Sequence, residues 1–306
     1  MPARSRLHTV LREGMFAVTA EAVPPASADP GPLADQARAL RGYADAVNIT
    51  DNPTAAAHMS PVAGAAVVAA EGLEPTVQIT TRDRNRLGIA ADLLGAWALG
   101  ARNLLCLTGD PVAVGDHPEA KEVFDLDVLE LIRLALRLRE RGELAPGRVV
   151  EEPPRFLIGV ADSPLAPAYR PDRLEAKADA GADFVQTQIV YDVDALGAWA
   201  DAVRPRGLFE RMSVLIGVAP LRGPASARYV REHLPGVIVP DDVVSRLEGA
   251  GSDAVEEGVR LTVEVVKRLR EVDGIAGVHV MGLGKEEPVR RVIEDAGLLP
   301  RPPAGT

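Results

Sequence analysis

Eight short, nearly unbroken apolar runs recur along the chain, with segments of helical character between them. The runs are Met15–Val23, Ala44–Thr50, Thr76–Thr80, Asn103–Thr108, Arg155–Val160, Phe184–Val190, Ser213–Val218 and Gly277–Met281. Continuous rather than alternating hydrophobicity is what parallel strands covered on both faces require. The segments between them carry helix ends. Asp83–Leu99 spaces its apolar residues at helical intervals and stops at Gly100. Asp127–Arg141 sets Leu, Ile and Ala against Arg and Glu and stops at Gly142, and Pro171–Ala180 opens on Pro and closes at Gly181. Strand and helix in alternation predict a parallel sheet of the α/β class. Eight units within 306 residues suit a closed (β/α)8 TIM barrel better than an open doubly wound sheet.

No stretch has the quality of a domain boundary, so residues 1–306 are expected to form one domain. Gly142–Pro154 reads as a surface connection. Pro224–Asp253 is longer than one barrel helix needs and predicts an extra helix, and the tail Pro300–Thr306 is expected to fray. Hydrophobic residues make up 47% and charged residues 25%, the balance of a soluble globular protein, and aromatics at 4% leave the core to aliphatic side chains. A net charge of −10 argues against a nucleic-acid surface but not against small anionic ligands. The lone Cys106 excludes an intramolecular disulfide and fits a reducing compartment. Met1–Val10 has no apolar signal region and no run reaches the length of a membrane span, so the cytoplasm is the expected location and no membrane partner is expected.

In such a barrel the chemistry sits at the C-terminal ends of the strands. The polar residues there are Glu21, Thr50 with Asp51 and Asn52, Gln78, Thr108-Gly109-Asp110, Asp162-Ser163, and Gln186 with Gln188. Three segments narrow the choice. They are Ala20-Glu21-Ala22-Val23-Pro24-Pro25; Thr108-Gly109-Asp110-Pro111 followed by Gly115-Asp116-His117-Pro118 and Val123-Phe124-Asp125-Leu126-Asp127; and Lys177-Ala178-Asp179-Ala180-Gly181-Ala182-Asp183-Phe184 running into Thr187-Gln188.

In this order and spacing, with Arg82-Asp83-Arg84-Asn85 alongside, the set resembles the methylenetetrahydrofolate reductase family, in its short bacterial subtype. The resemblance implies a barrel with a flavin at its mouth (FAD, with FMN as the alternative) and NAD(P)H and a reduced folate using one face in turn. Hydride would pass to the one-carbon unit of 5,10-methylenetetrahydrofolate once its five-membered ring has opened, giving 5-methyltetrahydrofolate for one-carbon metabolism and methionine biosynthesis.

The resemblance also assigns residues. Glu21 matches the proton donor for ring opening, and desolvation favours the neutral carboxyl that a general acid needs. Asp110 matches the Asp that holds the pterin edge by charge-assisted hydrogen bonds and faces the developing cation. Gly109 would let the backbone approach the flavin. Thr50 matches a hydroxyl near the flavin ring, Gln188 an amide that serves folate and nicotinamide in alternate half-reactions, and Lys177 a basic residue near the cofactor's phosphates. Phe124 takes the place of an aromatic bordering the flavin, and Gln78, Thr108 and Asp125 complete the cofactor-binding set. Departures are Gln78 where many members have His, Thr108 before Gly-Asp, Asp162-Ser163-Pro164 in place of a Tyr-Pro-Glu stretch, and His279-Val280-Met281 in place of a Tyr-Thr-Leu-Asn-Arg ending.

Other signals were weaker. Gly282-Leu283-Gly284 starts like a dinucleotide fingerprint, but position 287 is Glu, so it reads as the loop after the last strand. The His residues show no metal-ligand spacing. Glu256, Glu257, Arg260, Glu264, Lys267 and Arg268 read as a solvated helix face. Competing readings are a flavin-free pterin-dependent barrel enzyme and a folate- or flavin-binding subunit that takes electrons from a partner. The chain is expected to form a homo-oligomer.

Overall fold

Parallel pairing closes eight strands into a ring in this computed structural model, which describes residues 5–302 apart from Pro235 and Leu283. In chain order the strands are β1 (Ala17–Ala22), β2 (Ala46–Ile49), β3 (Pro75–Thr80), β4 (Asn103–Leu107), a small hairpin of β5 (Glu143–Ala145) and β6 (Arg148–Val149), then β7 (Leu157–Asp162), β8 (Phe184–Ile189), β9 (Ser213–Val218) and β10 (Ile275–Val280). The barrel order is β1-β2-β3-β4-β7-β8-β9-β10, closed by the pairing of β10 with β1. Each of the eight runs is a barrel strand. The run from Arg155 begins two residues later than expected, because its ladder starts where Asn103, the first residue of β4, meets Leu157. The expected Gly142–Pro154 connection carries the hairpin, and Pro224–Asp253 holds the helices Pro224–His233 and Asp241–Gly249. Among the described residues no helix is long and apolar enough to cross a membrane.

The helix ends follow local chemistry. Asp127 caps Val128–Arg141 with a reciprocal capping box, its side chain accepting from the N–H of Glu130 and the Glu130 carboxylate accepting from the N–H of Asp127. Gly142 then ends that helix in the left-handed conformation at φ 66°. Asn85 caps Arg86–Ala98, its side-chain oxygen accepting from the N–H groups of Leu87 and Gly88. The expected start at Asp83 is displaced because Asp83 is committed to Arg82.

Alternation along the strands divides the core in two. Val18, Ala20 and Ala22 of β1, Val47 and Ile49 of β2, and Val278 and Val280 of β10 face outward, under the helices. The alternate residues Ala17, Ala46, Leu105, Leu157, Phe184 and Leu215 fill the lower barrel, and Leu7 and Val10 of the helix Arg6–Arg12 plug its base. A Cβ on Gly159 would lie 2.2 Å from the Phe184 ring, so glycine there makes room for one of the few aromatics.

Two expectations need correction. The tail is anchored rather than frayed as far as the structure describes it: the Arg301 guanidinium donates to the buried Asp45 carboxylate and to the carbonyls of Phe16 and Leu298. Residues 303–306 lie outside the described residues, as does Leu283 of the Gly-Leu-Gly stretch. The charged face of Ala254–Leu269 is not wholly solvated either. Glu257 is buried between Arg246 and Arg260, and Arg246 also forks onto Glu264, which ties Asp241–Gly249 to this helix.

Candidate active site at the barrel mouth

Above the apolar base the interior turns polar. Asn48 Nδ2 donates to Gln186 Oε1 at 2.6 Å, and Gln186 Nε2 donates to Thr19 Oγ1 at 3.0 Å and to Asn48 Oδ1 at 3.3 Å. Thr19 Oγ1 lies 2.9 Å from His279 Nδ1. These four side chains come from β2, β8, β1 and β10, and all are buried. Buried polar groups of this kind are tolerated only when satisfied, and a satisfied network fixes one arrangement of side chains. The chain ends at Glu21, whose Oε2 is 3.9 Å from His279 Nε2 and whose side chain keeps 19% of its exposure.

Further round the rim, two aspartates from the loop after β4 clamp the loop after β2. Asp110 Oδ2 accepts from the Thr54 N–H at 2.9 Å, and both carboxylate oxygens of Asp116 accept from the Ala57 N–H, at 3.1 and 3.0 Å. The clamped residues Asn52, Thr54 and Ala55 have φ of 47°, 53° and 56°, a left-handed backbone that non-glycine residues adopt at a cost. A Cβ on Gly115 would fall 1.9 Å from the Ala55 carbonyl oxygen, so only glycine lets the two loops meet. Gly109, at φ 97°, turns the chain so that Asp110 reaches Thr54, and a Cβ there would press on Arg82 and Thr80. Beneath them Arg82 is fully buried, forked onto Asp83 and donating to the carbonyls of Asp110 and Asn52.

Between Glu21 and this clamp lie the ends of β2 and β3. Thr50 is buried and its hydroxyl has no hydrogen-bond partner among the described residues. Gln78 is buried too, and its amide makes no hydrogen bond among the described residues. A buried hydroxyl without a partner costs stability, which makes Thr50 a candidate contact for a ligand at the mouth, with the Gln78 amide beside it. Among the described residues no group of His, Cys, Asp and Glu could hold a metal ion.

With this geometry in place, comparison with known proteins decides the family. The methylenetetrahydrofolate reductase profile matches residues 6–297. The chain belongs to the methylenetetrahydrofolate reductase family. Methylenetetrahydrofolate reductase 1 of Schizosaccharomyces pombe is 31% identical over 239 residues, covering 74% of this chain and 36% of that protein. A probable methylenetetrahydrofolate reductase (NADPH) of Caenorhabditis elegans is 26% identical over 236 residues, covering 74% of this chain and 33% of that protein. The chain thus spans about a third of the length of these curated relatives. A solved structure from Clostridium thermocellum, an uncharacterized protein that binds two copies of 5-methyl-5,6,7,8-tetrahydrofolic acid, superposes with a TM-score of 0.63 at 11% identity, covering 97% of this chain and 99% of that one. At that identity the likeness bears on the barrel fold alone.

Within this family frame the expected site residues separate into two groups. Glu21, Thr50, Gln78, Gly109 and Asp110 gather at the mouth. Gln188 stands at its edge: the β8 register shifts between Gln186 and Ile189, and Gln188 Oε1 accepts from the Ile189 N–H at 3.0 Å. The shift is held by Thr187, whose hydroxyl accepts from the Gly217 N–H and donates to the Gln188 carbonyl, each at 2.9 Å.

In the second group Asp125 and Lys177 hold partners of their own, and Phe124 and Thr108 are exposed. Asp125 is gripped by Arg86, through its guanidinium and its N–H, which holds the carboxyl down at about 2. Lys177 is neither solvated nor free, because its ammonium donates to the Ala161 carbonyl at 2.6 Å and burial lowers its pKa against the pull of Asp162. Phe124 is 41% exposed, and Thr108 is exposed, with its carbonyl accepting from the Thr81 hydroxyl at 3.4 Å.

Sequence reasoning missed the links to the mouth. His279 was noted only as a departure, although its place between the outward Val278 and Val280 already assigns it to the interior. Asp162 also proved more enclosed than a strand-end residue suggests: it accepts from Tyr169 Oη at 2.8 Å and Trp199 Nε1 at 3.0 Å, and burial raises its pKa.

Proposed function

We propose that the mouth of this barrel reduces 5,10-methylenetetrahydrofolate to 5-methyltetrahydrofolate, with NAD(P)H as the source of hydride. The observation that carries the reading is a largely enclosed carboxyl, Glu21, facing an open mouth in a chain of this family. Ring opening breaks the bond between N10 and the one-carbon unit. The electron pair goes to N10, which takes the Glu21 proton, and the cation left at N5 accepts hydride. Asp110 keeps Oδ1 free of the Thr54 contact, and that oxygen would bind the donor edge of the pterin and face the cation.

The fit to a flavin is divided. The unpartnered hydroxyl of Thr50 and amide of Gln78 suit the polar edge of an isoalloxazine ring, FAD or FMN, which when bound would relay hydride from nicotinamide to folate. The residue expected at the phosphate end does not fit, because the Lys177 ammonium is spent on the Ala161 carbonyl, and Asp125 of the cofactor-binding set is held by Arg86. That observation favours a second reading, in which hydride passes from nicotinamide to folate without a flavin. The roles of Glu21 and Asp110 are the same in both.

Steady-state kinetics with the purified chain, with and without added FAD or FMN, test the reading. Methyltetrahydrofolate formation with parallel double-reciprocal lines and a flavin requirement supports the relayed route. Intersecting lines without flavin support direct transfer, and no turnover with NADH or NADPH under either condition supports dependence on a partner for electrons. Glu21→Gln should slow folate reduction by roughly 10²–10⁴-fold, the contribution of a general acid.

A further inference from the structure

We propose that His279, held by Thr19, is a positioning residue for Glu21: its Nε2–H faces the Glu21 carboxyl, aims the acid at the mouth and stabilises the carboxylate left after proton transfer. This rests on the assignment of Glu21 as the proton donor.

The argument begins with one hydrogen atom. Thr19 Oγ1 accepts from Gln186 Nε2 at 3.0 Å and has a single proton to give. Two acceptors are within reach, His279 Nδ1 at 2.9 Å and the Val278 carbonyl at 3.4 Å, and on this proposal the proton is assigned to the shorter contact. Nδ1 is then the unprotonated nitrogen of the neutral ring, so the ring proton sits on Nε2. Nε2 is the atom turned toward Glu21 Oε2, at 3.9 Å. Direction in the chain comes from Asn48, which donates to Gln186 Oε1 and leaves the Gln186 amide nitrogen to serve Thr19.

A donor beside Oε2 has two consequences. It leaves the acid's own proton on Oε1, the oxygen away from the imidazole. It also favours the charged carboxylate formed when that proton leaves. The 3.9 Å separation is longer than a hydrogen bond, so the contact strengthens only as Glu21 becomes charged, and a contact that strengthens along the reaction lowers the barrier.

Two substitutions dissect the ring. His279→Asn can keep a partner for Thr19 while removing the Nε2 donor, whereas His279→Gln reaches the Nε2 position with an amide N–H. His279→Asn should lower kcat for folate reduction by roughly ten- to a hundredfold, as expected when a reacting group loses its aim, with KM for folate nearly unchanged. The alkaline limb of its pH profile should move up, and His279→Gln should restore both. In the Glu21→Gln background His279→Asn should cost nothing further, and an undiminished cost there would overturn the proposal.

Carboxyl titration of Glu21 by NMR reads the pairing without turnover. An upward shift in His279→Asn is expected, and no shift overturns the proposal even if activity falls. Full turnover in Glu21→Gln alone would instead sink the acid assignment, a separate result from the titration.

Discussion

Arg84 forks onto Asp51, Nη1 to Oδ2 at 2.7 Å and Nη2 to Oδ1 at 3.0 Å, and so latches the loop after β3 to the end of β2. Asp51 also accepts from the Thr80 N–H at 2.8 Å and the Thr80 hydroxyl at 2.9 Å, which leaves its carboxylate with no exposure. Burial works against the charge on Arg84, yet Asp51 and Asp92 more than offset it and its pKa is raised.

Removing one partner of such a pair strands a buried charge, and the cost is large. Arg84→Met should therefore lower unfolding free energy by about 3 kcal/mol in urea titrations. Because Thr50 immediately precedes Asp51, ligand affinity should fall as well. A loss below about 1 kcal/mol, the range of an exposed ion pair, would show that the latch contributes little.

Thr50 and Thr76 form a matched pair, each with a buried hydroxyl that has no partner among the described residues. Valine has nearly the same shape and lacks the unsatisfied group, so Thr76→Val and Thr50→Val should each leave the ligand-free protein as stable or more stable, by about 1 kcal/mol. Only Thr50→Val should weaken ligand binding, because Thr50 is at the mouth and Thr76 lies at the start of β3, remote from it. Equal binding by both variants would remove Thr50 from the site.

Asp162 makes stability pH-dependent in a definite direction. Burial raises its pKa above the usual carboxylate value, against the hydrogen bonds from Tyr169 and Trp199 and the charge of Lys177. The folded chain then holds this proton more tightly than the unfolded chain does. Its contribution to stability is complete below the unfolded value, about 4, and is lost as pH rises through the folded one. In Asp162→Asn that loss disappears. The difference in Tm between variant and wild type should shift in favour of the variant as pH rises across that window, and a pH-independent difference would show that Asp162 does not titrate there.

The barrel was legible because parallel strands buried on both faces leave unbroken apolar runs, and the Pro and Gly at helix ends punctuate them. Those runs also hide which residues face inward, which is why His279, flanked by Val278 and Val280, passed as part of a strand. Strand ends and family motifs mark Glu21, Thr50, Gln78 and Asp110, and the barrel brings these strand ends to one mouth. The partners of Asp125 and Lys177 were not legible, because the closed barrel sets them: Arg86 is 39 residues from Asp125, and Lys177 reaches back 16 residues to Ala161. No local pattern encodes either pairing. Nor does the spacing of Gln186 and Gln188 announce the register shift that separates them.

That shift sharpens the last prediction. By strand alternation Gln186 and Gln188 share a face, which would make Gln186 a neutral control for its neighbour. Gln186 is instead the hub of the interior network, bonded to Asn48 and Thr19, while among the described residues the Gln188 side chain hydrogen-bonds to the N–H of Ile189. Gln186→Ala strands the Asn48 amide and removes a donor to Thr19, so it should cost about 1–3 kcal/mol in urea unfolding. Gln188→Ala should change stability little and act on turnover. If nicotinamide and folate use one face, an amide that both donates and accepts serves each in turn, and its loss should slow both half-reactions. Stopped-flow traces of each half-reaction decide the matter. Slowing confined to the folate step would mean that reducing equivalents enter elsewhere, as the partner-dependent reading requires.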